Sequence, residues 1–461
     1  MTQIYTKLKV GFYSALLLGT LQACSEFTDV PLPNDQLNRS DIFKDPNTTK
    51  AALTNMYINL REESFLMGDR KGLGYLMGMY TDDLQSLVDA SHNSQLFPIY
   101  SNSLLTNNSN ISNLWNTNYN HIYAINDFIE GVMNSDALEP SIKKTYLAEA
   151  YFLRALYYHY FVQVFGDVPY VTTTDYTVNS KIGKTKVSDV LIKVEDDLKT
   201  ALEFMPTEYR DIKRIFPSAA VVELLLAKNY LLQKRYDLAE VYARRVLENS
   251  DYNLETDLNR VFKRTSNGVI WQLAGNSDID ATREARTYIF IAFSLNQAIS
   301  PKLLDAFDDI DLRKGSYIKE VVVNGQSWFH PYKYKNNQNN TDEYSIVFRI
   351  EEAYLTLAEA LLYQHEPSEA VLYINPTRER AGLLPLSNTL SESAVKQELL
   401  NEYQREFFAE HGHRFLDLKR NDALDQLKVT KPNWEAKHRV FPLPEQELLL
   451  NPNLLPQNDN Y

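Results

Sequence analysis

Between residues 219 and 249 the chain sets Leu226, Ala227 and Tyr230 three and four apart, breaks at Gln233 to Arg235, and resumes with Ala239, Ala243 and Val246. Apolar residues at that spacing line one face of a helix, so the pattern predicts two antiparallel helices joined by a short polar turn. The layout returns with Leu357, Ala358 and Leu361, a break at His365 to Pro367, then Ala370, Ile374 and Thr377. The pairs Ala227/Ala239 and Ala358/Ala370 are separated by the same interval. A small residue at each of those places lets paired helices approach closely, as in tetratricopeptide hairpins. Further helices are predicted over 115–132, 142–164, 187–204 and 394–411. The stretches 67–110 and 273–340 are instead rich in Gly, Asn, Ser, Asp and Tyr, and short alternations at 269–273 and 317–323 read as strands. The expected fold class is mostly α: tetratricopeptide-like helical hairpin repeats in a superhelix, with long irregular loops and a few short strands. In such a solenoid the repeats supply the scaffold and the excursions carry the variable surface.

The N-terminus reads differently. Lys7 and Lys9 precede the apolar run Val10, Phe12, Ala15, Leu16, Leu17 and Leu18, which leads to Leu21-Gln22-Ala23-Cys24. The run is shorter than the ~20 residues a bilayer span needs, and its basic start and small residue before the cut are those of a signal peptide. Leu-x-Ala-Cys resembles the bacterial lipobox, whose cysteine is acylated after cleavage, and Cys24 is the sole cysteine of the chain. Several acyl chains on one residue anchor durably where a single chain would not. Residues 1–23 are therefore expected to be a signal peptide. Residues 24–40 form a lipid-anchored tether that includes Pro31, Pro33, Asn34 and Asp35. A single folded domain is expected over 41–461, with inserted ligand-binding loops at about 67–110 and 273–340.

Charge removes one class of partner. Lys and Arg number 47 against 60 Asp and Glu, a formal charge of -13 that repels a polyanion, so nucleic acid is excluded as the main ligand. One cysteine permits neither an internal disulfide nor a thiolate metal cluster. The 30 Tyr, 21 Phe and 4 Trp can fill helix interfaces or stack on sugar rings, so their positions decide their use.

Five segments in order resemble the RagB/SusD family. They are Trp115, Tyr119, Ile122, Asn126 and Ile129; the run from Ala148 to Tyr158, followed by Phe165-Gly166-Asp167-Val168-Pro169-Tyr170; Phe348-Arg349 to Ala360, with Leu372 to Leu383; Arg405 to Arg420; and Phe441-Pro442-Leu443-Pro444 with the tail from Asn451 to Tyr461. The tail departs from the family, which usually has Pro-Gly before the final Tyr where this chain has Asp459-Asn460. Ser25, Glu26 and Asp29 resemble the surface-export signal of Bacteroidetes lipoproteins. The resemblance implies four tetratricopeptide-like units on one side and an irregular ligand-binding side opposite. It also implies an outer-membrane lipoprotein facing the cell exterior, which binds an oligosaccharide, or a peptide in some branches, without catalysis. The partner it implies is a SusC-like TonB-dependent β-barrel transporter, to which the bound nutrient is passed. A secreted glycan-degrading lipoprotein and a protein-binding helical adaptor are the alternatives from other classes.

No catalytic residue, metal site or cofactor is assigned. Glu406, Glu410, His411, His413 and Asp417 could face one ion, but Arg405, Arg414, Lys419 and Arg420 offer each carboxylate a partner, so a structural ion-pair network is the expectation. Asp82-Asp83 and Asp308-Asp309-Asp311 read as helix caps or solvated loop residues. The alternatives there are a glycosidase pair or calcium in an oxygen-rich loop. For ligand contact, rings on the irregular side are sought with polar neighbours. The candidates are Tyr75, Tyr80, Phe97, Tyr100, Tyr288, Trp328 and Phe329, with Asp82, Asn93 and Arg283 to bond hydroxyls. Trp115 and Trp271 are assigned to the core.

Overall fold

The computed structural model describes residues 39–461 apart from 90, 92–94, 207, 208, 278 and 291–295. Cys24, the tether ahead of residue 39 and Asn93 therefore lie outside the described residues. The scaffold is a row of helices: α1 (Pro46–Glu63), α2 (Leu73–Tyr80), α3 (Ser109–Asn134), α4 (Pro140–Phe165), α5 (Val187–Phe204), α6 (Ala219–Leu232), α7 (Tyr236–Glu248), α8 (Ile350–Leu362), α9 (Pro367–Arg380), α10 (Glu392–Phe407) and α11 (His413–Arg420). From α3 to α10 each helix packs on the next. The contact of α7 with α8 is direct although residues 249–349 intervene, so the stack closes over the root of a long excursion.

The two predicted hairpins share their turn chemistry. Lys234 and His365, equivalent positions, both adopt left-handed backbone (φ 59° and 65°). The next amide in each case, Arg235 or Glu366, bonds back to the carbonyl of Tyr230 or Leu361 at 3.0 Å. Ala227, Ala243, Ala358 and Ala370 are fully buried with Leu357, Leu361 and Ile374 in one cluster between the hairpins. Tyr236 and Tyr363 stack at 4.8 Å across the repeat boundary. Only side chains this small bring four helices so close.

One predicted boundary moves. Helix α10 stops at Phe407, short of residue 411, and Ala409, His411 and Gly412 all take positive φ. Lys333 Nζ donates to the carbonyls of Glu406 (2.7 Å) and Phe408 (2.8 Å), and Arg349 Nη2 donates to the Glu406 carbonyl (2.8 Å). These cations satisfy the last carbonyls, which a helix end leaves without partners.

The excursions contribute three antiparallel two-stranded sheets. β1 (Leu84–Ser86) pairs with β3 (Gln297–Ile299), β2 (Val269–Leu273) with β6 (Ser345–Arg349), and β4 (Ile318–Val323) with β5 (Gln326–Pro331). Strands β2 and β6 are buried along their whole length, and Trp271 sits among Phe152, Tyr57 and Phe348 in the core. Among the described residues no helix is long and apolar enough to cross a membrane.

Candidate functional site

The acidic and basic residues of the late helices form a closed ion-pair lattice. Arg313, Arg349 and Arg380 converge on Glu406 at 2.9, 2.6 and 2.6 Å, all four side chains being essentially inaccessible. Arg313 also holds Glu402 (2.7 Å) and Asp311 (2.8 Å), while Lys333 and Arg349 hold Glu410 at 2.5 and 2.9 Å. Burial alone would raise these carboxyls, but the Arg313 and Arg405 guanidiniums outweigh it at Glu402 and hold that group down at about 2. Lys333 is the reverse case: burial pulls its ammonium down to about 8 against the attraction of Glu410. His413 lies between Asp417 (3.1 Å) and Glu352 (3.3 Å), which offset its burial and raise its pKa. Each carboxylate named as an ion ligand thus already faces a cation of the chain, and the cluster holds α8, α9, α10 and the excursion together.

Of the paired acids, Asp82, Asp83 and Asp311 are internal, whereas Asp308 and Asp309 are exposed. Asp82 is buried in a bidentate pair with Arg414 at 2.7 and 2.8 Å. Burial and then the adjacent Asp82 charge push Asp83 up to about 7, while Gln404 Nε2 donates to it at 3.0 Å. Asp311 caps the short helix Leu312–Tyr317 and belongs to the lattice.

Four of the predicted ligand contacts must be corrected. Tyr75, Tyr80, Tyr288 and Asp82 lie in the interior rather than on an open surface. The stretch read as irregular loop contains α2, Leu-Gly-Tyr-Leu-Met-Gly-Met-Tyr, which is apolar on every side and packs beneath α11. Its glycines permit this approach. A side chain at Gly74 would meet the Ala409 carbonyl at 2.8 Å, and one at Gly78 the Leu84 side chain at 2.9 Å. Tyr80 is ringed by Phe415, Trp434, His438 and Phe441, and Tyr75 faces Tyr288, whose hydroxyl donates to the Ala409 carbonyl at 3.3 Å. Burial raises the pKa of all three phenols.

The other candidates reach the surface in separate groups. Arg283 is half-buried beside a cavity of about 210 Å³ and already pairs with Glu62 and with Asp69 (3.0 Å). Phe97 and Tyr100 share the short helix Phe97–Tyr100 with ring centroids 6.1 Å apart, and Lys431 Nζ stands 3.9 Å over the Tyr100 ring.

Trp328 and Phe329 lie on the β4–β5 hairpin. Its turn is Asn324-Gly325, both at positive φ (53° and 78°), the two-residue turn whose twist matches that of the strands it joins. Trp328 pairs across the ladder with Val321, and Phe329 with Glu320. The base of the hairpin is anchored: Tyr317 and His330 are buried, and β5 packs on β3. Burial lowers the pKa of His330, whose ring lies 4.7 Å from that of Phe290. Towards the turn the strands become exposed, leaving Trp328 and Phe329 partly accessible beside exposed Lys319, Glu320 and Val322. Tyr332, just beyond β5, lies under Lys319 and Lys335 at 4.7 and 4.5 Å. Successive strand residues face opposite sides, so Trp328 and Phe329 lie on opposite faces of the ribbon, Phe329 against the core. An accessible ring with charged neighbours can stack on one face of a flat ligand while those neighbours bond its hydroxyls. The alternation at 317–323 predicts a strand but no hairpin; the Asn324-Gly325 dipeptide is the signal that could have found it.

Comparison with known proteins points the same way over the whole chain. A family model described as "Starch-binding associating with outer membrane" matches residues 29–231, and one described as "SusD family" matches 277–461. A "SusD-like protein P2" of Formosa agariphila is 26% identical and covers 99% of this chain and 100% of its own length. The "Starch-binding protein SusD" of Bacteroides thetaiotaomicron is 33% identical over 127 residues, 25% of this chain and 21% of that protein. Among solved structures, a SusD superfamily protein from Bacteroides vulgatus superposes with a TM-score of 0.78 at 21% identity, covering 91% of this chain and 99% of the other. A structure titled "Laminarin binding SusD-like protein" gives 0.75 at 20% identity, covering 91% and 100%.

Proposed function

The chain belongs to the SusD/RagB family, and on that premise we propose that it is a non-catalytic, lipid-anchored protein of the outer membrane that binds an oligosaccharide and hands it to a SusC-like TonB-dependent transporter. The observation that carries the ligand class is the β4–β5 hairpin, with Trp328 partly accessible on a ribbon anchored at its base, while Phe329, also partly accessible, packs against the core. A sugar presents an apolar C–H face and a rim of hydroxyls, and an accessible ring with charged neighbours matches both. A relative named for starch, and a structural neighbour titled for laminarin, support the same class. The absence of catalysis fits the paired acids, since Asp82 is held by Arg414 and Asp83 is buried beside it, leaving neither to act across a glycosidic bond.

Acylation at Cys24 would tether this binder near the pore mouth and raise the local concentration of captured ligand there. The test is direct. The full chain, purified in detergent, is incubated with α- and β-glucans, xylan, mannan, galactan and oligopeptides. Retention of a glycan without release of new reducing ends is the expected result, and reducing ends released by the purified chain would overturn it. Mass spectrometry of the N-terminal peptide should show an acylated Cys24, and co-purification from membranes should bring down a barrel transporter.

A further inference from the structure

A second concave surface lies between α3, the segment 169–182 and the C-terminal tail, with a volume of about 650 Å³, inside the ~300–1,000 Å³ range of small-ligand sites. No residue of the hairpin lines it. Helix α3 contributes Trp115, Tyr119 and Tyr123 at successive four-residue steps, which places them along one face, with Asn116 and Asn120 beside them. The Tyr119 ring is fixed from the opposite wall, its hydroxyl donating to the Pro169 carbonyl at 2.8 Å, and the Trp115 indole lies by the Glu447 carboxyl, whose pKa it lowers. The outer rings are open, Tyr123 at 50% and Tyr176 at 80% of full exposure. Such exposure is unusual for rings in a chain that buries most of its aromatics.

The polar lining is made of amides. Asn451 Nδ2 donates to the Ile182 carbonyl at 2.8 Å while its Oδ1 accepts from the Asn453 amide. Asn179 Nδ2 donates to the Thr173 carbonyl at 2.7 Å, but its Oδ1 is buried with no protein partner among the described residues. A buried acceptor without a donor costs free energy. Charge narrows the ligand further. Among the described residues lining the cleft, Glu447 is the one ionisable carboxyl and there is no Lys, Arg or His. Burial raises the Glu447 pKa, partly offset by the Trp115 indole. Nothing there would compensate a sulfate or uronate, whereas uncharged hydroxyls find amides and C–H faces find rings.

We propose that this cleft is a second carbohydrate-binding site, taking a few units of a neutral oligosaccharide independently of the hairpin. The inference rests on the glycan-binding reading for its ligand class and adds a site and a charge preference. Two sites on one tethered protein would grip a polymer at two points, so that release at one leaves the chain held at the other.

Isothermal titration of the full chain in detergent tests it, with laminarihexaose, maltoheptaose, xylohexaose and mannohexaose as probes and sulfated or uronate oligosaccharides as contrasts. With the neutral probe that binds, the expected stoichiometry is two per chain. It falls to one in Tyr123→Ala/Tyr176→Ala and to one in Trp328→Ala/Phe329→Ala, and binding is absent when all four are changed. In Trp328→Ala/Phe329→Ala, the remaining site should bind the charged probes at least tenfold more weakly than the neutral one. Tyr123 and Tyr176 are exposed, so melting curves of that variant should overlay the parent. Wild-type titration by Tyr123→Ala/Tyr176→Ala would overturn the second site and leave the proposed function standing, including where that variant loses a co-purified transporter. Failure of every probe to bind the parent chain would overturn both. As an independent readout, Trp115 emission should change on titration in the Trp328→Ala/Phe329→Ala background, and an unchanged spectrum would count against the site.

Discussion

The helical stack and the β4–β5 hairpin solve opposite problems with the same residue types. In the stack, charged and aromatic side chains are taken out of water and paired with one another: Glu406 receives three guanidiniums and Tyr80 lies inside a ring of aromatics. On the hairpin, Trp328 and Phe329 stay partly exposed and Lys319 and Glu320 remain solvated. The difference shows that neither an aromatic nor a carboxylate marks a binding surface by itself. What marks one is a ring left partly open to solvent on an anchored support.

Substitutions should separate the two regions in graded fashion. The largest effect is expected at Glu406. Glu406→Ala leaves Arg313, Arg349 and Arg380 sharing a buried site without their common anion, and removing one partner of a buried pair costs about 3–5 kcal/mol. Urea denaturation of the purified chain should register that loss. A midpoint within experimental error of the parent would mean that water reaches the lattice and that the contrast with the hairpin is false.

The acid limb of the stability curve comes next. Glu402 is held at about 2 in the fold against an ordinary value near 4.5, so its contribution is complete above pH 4.5 and is lost as pH falls through about 2. At ~1.4 kcal/mol per unit the group is worth about 3 kcal/mol, and Glu402→Gln should flatten the decline in stability between pH 4.5 and 2. Asp83 runs the other way. Raised to about 7 from 3.8, it keeps its proton in the fold after the unfolded chain has lost it, so stability falls as pH rises from about 4 to 7. Thermal melts of Asp83→Asn should lack that decline.

A smaller effect is expected from Ala358→Leu, which forces extra methyl groups into the closed junction of the two hairpins at a cost of about 1–3 kcal/mol. The smallest belongs to Trp328→Ala, which should alter stability by no more than about 0.5 kcal/mol. Its effect should appear instead as at least a tenfold loss of glycan affinity at the hairpin. Equal losses of stability from Trp328→Ala and Glu406→Ala would erase the distinction between the regions.

Sequence alone determined what depends on neighbours a few residues away. Helical period placed α4 and α5 to within two residues and α3 to within six, and the recurring alanines located the two hairpins that share a core, because both follow from 3.6-residue geometry and from side-chain size. The ordered segments were legible as a family resemblance for the same local reason. Tertiary structure alone decided which aromatics are open. Tyr75 and Tyr80 stand in an apolar run within a loop-rich stretch, and Tyr288 shares the stretch 273–340 with Trp328, yet α2 is covered by α11 while the hairpin is exposed towards its turn. The α3 face of Trp115, Tyr119 and Tyr123 could be read off the helical spacing, but its opening into a cleft depends on Glu447 and Asn451 arriving from the far end of the chain. Burial is a property of contacts between distant segments, and no local pattern encodes which of two similar loops another helix will cover.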